Sequence, residues 1–293
     1  MRIRLDRFGH KLVQRLADLE AGRIAPATPR DAATVVLLRP AGAGAGVEVL
    51  MLRRVAAMKF APGAYVFPGG SVDPADHEAA VGWHGPDPAE FGARLGASAE
   101  MARALVCAAV RETFEEAGVL LAGAPGGGPV ANPSGPPDGS GPSWEADRAA
   151  LVAGDVTLAD LLSRRGLVLR ADPLVPWARW ITPEGEPRRF DARFFAAALP
   201  AGQLATGHAA ESDHIAWLRP GDAIESARAG QISMLPPTAT TLHDFAVAGA
   251  VDGADAVAGI LGRRPVIEPV VPRLVLEDGQ AWLYVPDEVG YPL

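Results

Sequence analysis

The chain has 293 residues, 48% of them hydrophobic, and a formal net charge of −8. That is enough apolar material for one large or two small packed domains, and the acidic balance excludes a general nucleic-acid-binding surface. Cys107 is the only cysteine, so no disulfide can close within the chain, which suits a reducing cytoplasm. No apolar run approaches ~18 residues and no signal-peptide pattern opens the chain, so neither a membrane span nor export is expected. The final Gly-Tyr-Pro-Leu differs from the Ser-Lys-Leu peroxisomal address.

Residues 4–20 place Leu5, Phe8, Leu12, Leu16 and Leu19 at helical spacing, which predicts a docking helix ended by Pro26 and Pro29. Residues 33–39 and 47–53 read as strands joined by a Gly/Ala turn, and 64–67 as a short strand entering Phe67-Pro68-Gly69-Gly70. Two glycines there let the backbone turn sharply and approach a ligand closely. A stretch rich in Gly, Pro, Asp and His follows, including Trp83 and His84. Loops longer than ~12–15 residues are usually functional or disordered, and this one reads as an excursion from the loop after Gly70.

Residues 111–119 read Arg-Glu-Thr-Phe-Glu-Glu-Ala-Gly-Val. On a helix, Glu112, Glu115 and Glu116 crowd one face, where like charges four residues apart repel. A cation is the natural neutraliser, and hard divalent cations take oxygen ligands of this kind. Arg111, four residues before Glu115, can brace that side chain. Cys107, Val110, Phe114, Ala117 and Leu121 form an apolar stripe on the opposite face, and Gly118 suits a left-handed helix end. Cys107 then belongs to the core.

The Gly/Pro-rich run after the helix cannot bury a core. Residues 144–165 return to helix, with Thr157 and Asp160 in a capping-box pattern. Strands are expected at 167–170, 177–182 and 190–199, with Trp177, Trp180 and Phe190 as packing residues. Helices near 219–229 and 237–249 and a hairpin around Gly279 complete the layout. Alternation of sheet and helix predicts an α/β sandwich.

The motif Arg-Glu-X-X-Glu-Glu-X-Gly-(apolar), preceded by a Pro-Gly-Gly turn, resembles the Nudix box of nucleoside-diphosphate-linked hydrolases. The resemblance implies an α/β/α sandwich with a mixed sheet, carrying helical insertions and an N-terminal helix. The domain plan is then a helical extension over 1–30 and one Nudix domain over 31–293, with insertions at about 74–99 and 122–166. It implies an enzyme that uses Mg²⁺ or Mn²⁺ to cleave a diphosphate bond. The implied metal ligands are Glu112, Glu115, Glu116 and the carbonyl of Gly69. The implied catalytic set is Glu112, Glu115 and Arg111, with Glu211 or its neighbour Asp213 as a base from a later loop. In the ordinary box a glutamate stands six residues after the opening glycine and the arginine eight further on. Here the sixth position is Asp76 and Arg111 arrives about 27 residues late. That leaves Asp76, Glu78, Glu90 and Glu100 as candidates for the residue that holds the box together.

An insertion at this point resembles the peroxisomal-type coenzyme A diphosphatases and their bacterial relatives. The upstream run Leu50-Met51-Leu52-Arg53-Arg54-Val55, then Lys59, Gly63 and Phe67-Pro68-Gly69-Gly70, keeps the spacing of the coenzyme A pattern while departing from it at Leu52, Val55 and Lys59. The favoured substrate is therefore coenzyme A or an acyl-CoA, yielding 3′,5′-ADP and a 4′-phosphopantetheine product. Substrate contacts fall to Arg54, Lys59, Phe67, Gly70 and Arg188, with Arg188 and Arg189 placed to meet a 3′-phosphate or diphosphate. Arg binds phosphate bidentately and Lys as a point charge. Two other readings remain: hydrolysis of ADP-ribose or another nucleoside diphosphate-linked compound, and a Nudix-fold ligand sensor without turnover. Retention of all three glutamates argues for turnover. The partner is a small molecule, with no nucleic acid or membrane, and a homodimer is compatible with the chain.

Overall fold

The computed structural model describes residues 1–5, 9–42, 46–56, 61–77, 81–130, 143–207, 212–252, 255–263 and 265–293. The elements run β1 (Arg2–Arg4), α1 (Gly9–Glu20), β2 (Arg30–Pro40), β3 (Val47–Arg54), β4 (Ala64–Val66), β5 (Gly69–Ser71), β6 (Trp83–His84), α2 (Pro88–Leu95), α3 (Ala99–Ala117) and β7 (Ala122–Gly123). Then come α4 (Trp144–Val152), α5 (Leu158–Arg164), β8 (Val168–Arg170), β9 (Val175–Ile181), β10 (Phe190–Ala198), β11 (Ser212–Leu218), α6 (Pro220–Arg228), β12 (Ser233–Met234), α7 (Pro236–Asp252) and α8 (Ala256–Gly262). Three short strands close the chain: β13 (Pro269–Val270), β14 (Arg273–Glu277) and β15 (Gln280–Tyr284).

The central sheet has the order β12-β4-β3-β2-β10-β9-β13, with β11 also on β3 and β5 also on β2. It is mixed: β10 runs parallel to β2, whereas β3 and β5 run antiparallel to it. Alternate residues enter opposite cores, as the pleat requires. Ala33, Val35, Leu37, Leu50 and Phe195 join one core with Phe91, Leu105, Phe114, Trp144 and Leu161 from α2, α3, α4 and α5. Val36, Leu38, Val49, Met51 and Phe194 join the other with Ile224, Leu242, Phe245 and Ile260 from α6, α7 and α8. Burial on both faces explains why β2 reads as a continuous apolar run, and the result is the expected α/β/α sandwich.

Several local expectations change in three dimensions. The helix expected over 4–20 begins at Gly9, because Arg2–Arg4 pair antiparallel with Trp282–Tyr284 across the whole chain. Leu12 and Leu16 of α1 pack with Ala281 and Leu274 of the C-terminal hairpin, so the helix does dock. Leu121 lies beyond the box helix, which Gly118 ends in the left-handed region at φ 66°. Strand β8 pairs with β6 and β7 in a small separate sheet rather than the central one. The capping box at Thr157 and Asp160 is formed, both reciprocal hydrogen bonds being present.

The stretch after Gly70, expected as an excursion, is folded where described. A 3-10 turn (Pro74–His77), β6 and α2 lead into α3, which begins three turns before Arg111. Val81, Phe91, Leu95, Ala102 and Leu105 of this stretch are buried in the first core. The Gly/Pro-rich residues 131–142 lie outside the described residues.

Candidate active site

Helix α3 carries Arg111, Glu112, Glu115 and Glu116 in its last two turns, directly beneath β5. Asp76 is 3% exposed and lies at the end of the 3-10 turn. Arg111 Nε donates to Asp76 Oδ1 at 3.0 Å and Nη2 to Asp76 Oδ2 at 2.9 Å, a bidentate fork. Nη2 also donates to the Ser71 carbonyl at 3.0 Å, tying the helix to β5. Nη1 turns the other way, reaching Glu112 Oε1 at 2.8 Å and Glu115 Oε2 at 3.3 Å. Of the four acids open in the sequence, Asp76 thus holds the box. Glu90 and Glu100 are exposed in the first turns of α2 and α3, and Glu78 lies outside the described residues.

Glu116 is buried and accepts the Gly69 N–H at 2.9 Å through Oε2. Gly70 packs so closely on the helix that a Cβ there would stand 2.3 Å from Glu112 Oε1, and a Cβ on Gly69 would stand 2.5 Å from the Ala33 carbonyl. The Pro-Gly-Gly turn is therefore required by contact as well as by the bend.

One guanidinium serves three carboxylates, and the excess shows in the titration of the cluster. Burial comes first in pushing the Glu115 carboxyl up to about 7; Arg111 pulls it down, and the charges of Glu112 and Asp76 push it up again. Burial disfavours the Arg111 charge, but Asp76, Glu112 and Glu115 more than offset that, so its pKa is raised. Cys107 beneath the cluster is a buried hydrophobe, its thiol pushed up to about 12 by burial, with Asp76 adding to the shift.

Among the described residues no group of three or more His, Cys, Asp or Glu side chains is arranged to hold a metal ion. Arg111 Nη1 occupies the position between Glu112 and Glu115, and Glu116 is turned to the Gly69 amide. The donor chemistry still fits a small divalent cation. It consists of hard oxygens, with Glu112 and Glu115 both within 3.4 Å of one nitrogen and negative charge in excess.

The remaining expected residues are spread more widely. Arg54 ends β3 opposite Ser212 of β11 and is half-buried. Lys59 and Glu211 lie outside the described residues. Asp213, the neighbouring base candidate, instead accepts Arg53 Nε at 2.6 Å on the surface, which holds its carboxyl below the usual range. Phe67 is 4% exposed in the second core, so its side chain supports the turn from behind rather than facing a ligand. Arg188 is exposed on the loop between β9 and β10, whereas Arg189 is buried and donates to the carbonyls of Thr182 and Ala27. Arg189 is thereby a brace for the start of β2, not a phosphate ligand. A cavity of about 210 Å³ on the second-core side, walled by Trp177, Trp180, Thr241 and Asp244, contains none of the box residues.

Arg148 of α4 joins the end of the box helix from a distance in sequence. Its guanidinium donates to the Glu115 carbonyl at 2.9 Å and to Thr206 Oγ1 and O, each at 3.0 Å. No local pattern marks it; its meaning comes from burial and from partners 33 and 58 residues away.

A two-core sandwich with a carboxylate-rich helix under a glycine turn defines the class of the Nudix hydrolases, and comparison with known proteins agrees. The chain belongs to the NUDT19 Nudix domain family, whose match covers residues 89–244 and so includes the whole box helix. It is 30% identical over 257 residues to the human protein named acyl-coenzyme A diphosphatase NUDT19, covering 72% of this chain and 66% of that protein. The Gallus gallus protein of the same name is 30% identical over 255 residues, covering 71% and 66%. The chain spans about half to two thirds of the length of the curated relatives it matches. Among solved structures, a NUDIX hydrolase from Alicyclobacillus acidocaldarius superposes with a TM-score of 0.65 at 28% identity, covering 82% of this chain and 98% of that one.

Proposed function

We propose that the chain is a divalent-metal-dependent diphosphatase acting on coenzyme A or an acyl-CoA, releasing 3′,5′-ADP and (acyl-)4′-phosphopantetheine. The observation that carries this reading is the cluster in which Arg111 joins Asp76, Glu112 and Glu115 while Glu116 is fastened to the Gly69 amide. The substrate is supported by the coenzyme A-type spacing over Leu50–Gly70 and by the similarity to vertebrate proteins named acyl-coenzyme A diphosphatase.

When bound, Mg²⁺ or Mn²⁺ supplies Lewis-acid chemistry, offsetting diphosphate charge and acidifying a nearby water. Glu112, Glu115, Glu116 and the Gly69 carbonyl are the residues that would hold it. Arg111 keeps Glu112 and Glu115 together and carries their charge in the free protein. In the reaction a water oxygen bonds to phosphorus, the bridging P–O bond breaks, and the proton of the water passes to a carboxylate. Glu115 suits that proton transfer because burial already lifts its carboxyl toward neutrality; Glu211 is the alternative base. Arg54 and Lys59 meet the substrate phosphates, and a reducing cytoplasm accommodates the free Cys107.

The test is a screen with Mg²⁺ and Mn²⁺ of coenzyme A, acyl-CoAs, ADP-ribose and NADH, with products identified by mass. Release of 3′,5′-ADP is the expected result. Turnover confined to ADP-ribose would move the substrate to the other nucleoside diphosphates, and no turnover of any compound would leave a ligand-binding regulator. Glu116→Gln should lower metal-dependent kcat about 10³-fold with the fold intact; full activity would remove Glu116 from the metal site.

A further inference from the structure

Helix α3 ends at the chemistry, and its end is held from outside the box. The last four carbonyls of a helix lack intrahelical partners. Here the Glu115 carbonyl accepts Arg148 Nε at 2.9 Å and the Ala117 carbonyl accepts the Thr206 N–H at 2.8 Å. Arg148 then closes the triangle by donating to both Thr206 Oγ1 and the Thr206 carbonyl. There is no slack at the junction. A Cβ on Gly118 would stand 2.6 Å from Thr206 Oγ1 and 3.2 Å from Arg148 Nη1. Arg148 itself is 2% exposed.

Three features separate this arrangement from ordinary core packing. The last turn of α3 has no basic residue of its own, so the cation that faces its negative end comes from α4. That turn carries two of the three carboxylates assigned to the metal above, Glu115 and Glu116. The segment held on the other side, residues 203–207, is itself anchored just past the helix: Gln203 Oε1 accepts the Leu120 N–H and Gln203 Nε2 donates to the Leu120 carbonyl, each at 2.9 Å. A planar guanidinium can serve three acceptors in fixed directions, which an ammonium cannot.

We infer that Arg148 is a positioning residue for the diphosphatase reaction, acting from the 122–166 insertion to fix the last turn of the box helix against residues 203–207 and so to aim Glu115 and Glu116. The inference rests on the function proposed above, and its test separates the two. Arg148→Lys and Thr206→Val are compared with the unaltered chain by thermal unfolding, by Mn²⁺ titration without substrate, and by kcat and KM for coenzyme A.

Both variants should remain folded and bind Mn²⁺ severalfold more weakly. Arg148→Lys should lose about tenfold or more in kcat with KM little changed, since small misplacement of catalytic groups is costly. Thr206→Val, which removes one of the three acceptors, should lose less. Wild-type kcat and Mn²⁺ affinity in folded Arg148→Lys would overturn the inference, because charge alone would then suffice. So would a kcat loss that scales only with the folded fraction at unchanged Mn²⁺ affinity. If Arg148→Lys does not fold, Thr206→Val decides in the same way. An unaltered chain that binds Mn²⁺ but cleaves none of the diphosphates would defeat the proposed reaction, while the Mn²⁺ titrations would still report on Arg148.

Discussion

Two arginine–aspartate pairs in this molecule have similar bond lengths and opposite roles. Arg111 and Asp76 meet in a bidentate fork at 2.9–3.0 Å with side-chain exposures of 13% and 2%. Arg53 and Asp213 meet at 2.6 Å on the β3–β11 ladder with exposures of 44% and 43%. Water screens the second pair and leaves it little net worth. The first has been taken out of water: without Asp76 the buried Nε–H of Arg111 loses its acceptor and the fork is broken, and without Arg111 three carboxylates are stranded. Burial, not contact distance, tells which pair organises the site. The fold of the stretch between them brings Asp76 to an arginine 35 residues further on.

Asp76→Ala should have the largest effect, about 3–5 kcal/mol of lost stability by urea denaturation. A loss below about 1 kcal/mol would show the buried fork to be dispensable. Next comes Glu115, whose folded pKa is raised from 4.5 to about 7. Its contribution to stability is complete below pH 4.5 and disappears as pH rises through 7. In chelator, the unaltered chain should therefore lose on the order of 2 kcal/mol between pH 5 and 8 that Glu115→Gln does not lose. Added Mn²⁺ should recover it at pH 8. Matching pH profiles for the two proteins would contradict the electrostatic account. Asp213→Ala should be the mildest, leaving Tm within about 1 °C and kcat nearly unchanged. A collapse of kcat there would return Asp213 to the candidates for the base.

What the chain disclosed in advance was local. The end of α3 at Gly118, the Thr157–Asp160 capping box and the strands through β2 and β3 follow from short-range periodicity and turn chemistry. The box glutamates were legible for the same reason, since one helical face collects them. What stayed hidden depended on partners distant in sequence. The choice of Asp76 over Glu90 and Glu100 required the fold of the insertion. The strand at Arg2–Arg4 required Trp282–Tyr284. Arg189 looked like a phosphate ligand until two backbone carbonyls claimed it. Phe67 belonged to a motif expected to face substrate, yet its side chain lies in the second core.

The box carboxylates lie at the carboxyl-terminal pole of a 19-residue helix. Aligned peptide dipoles make that pole negative, so the macrodipole repels Glu115 and Glu116, by about 0.3–1 kcal/mol for each charge so placed. The backbone thus adds negative potential of its own to that of the side chains, offset in part by the Arg148 guanidinium on the Glu115 carbonyl. A divalent ion arriving at this pole would gain attraction from the peptide units as well as from its ligands. Lengthening α3 by a turn past Ala117 would carry the pole away from the glutamates and weaken that pull, with every glutamate kept.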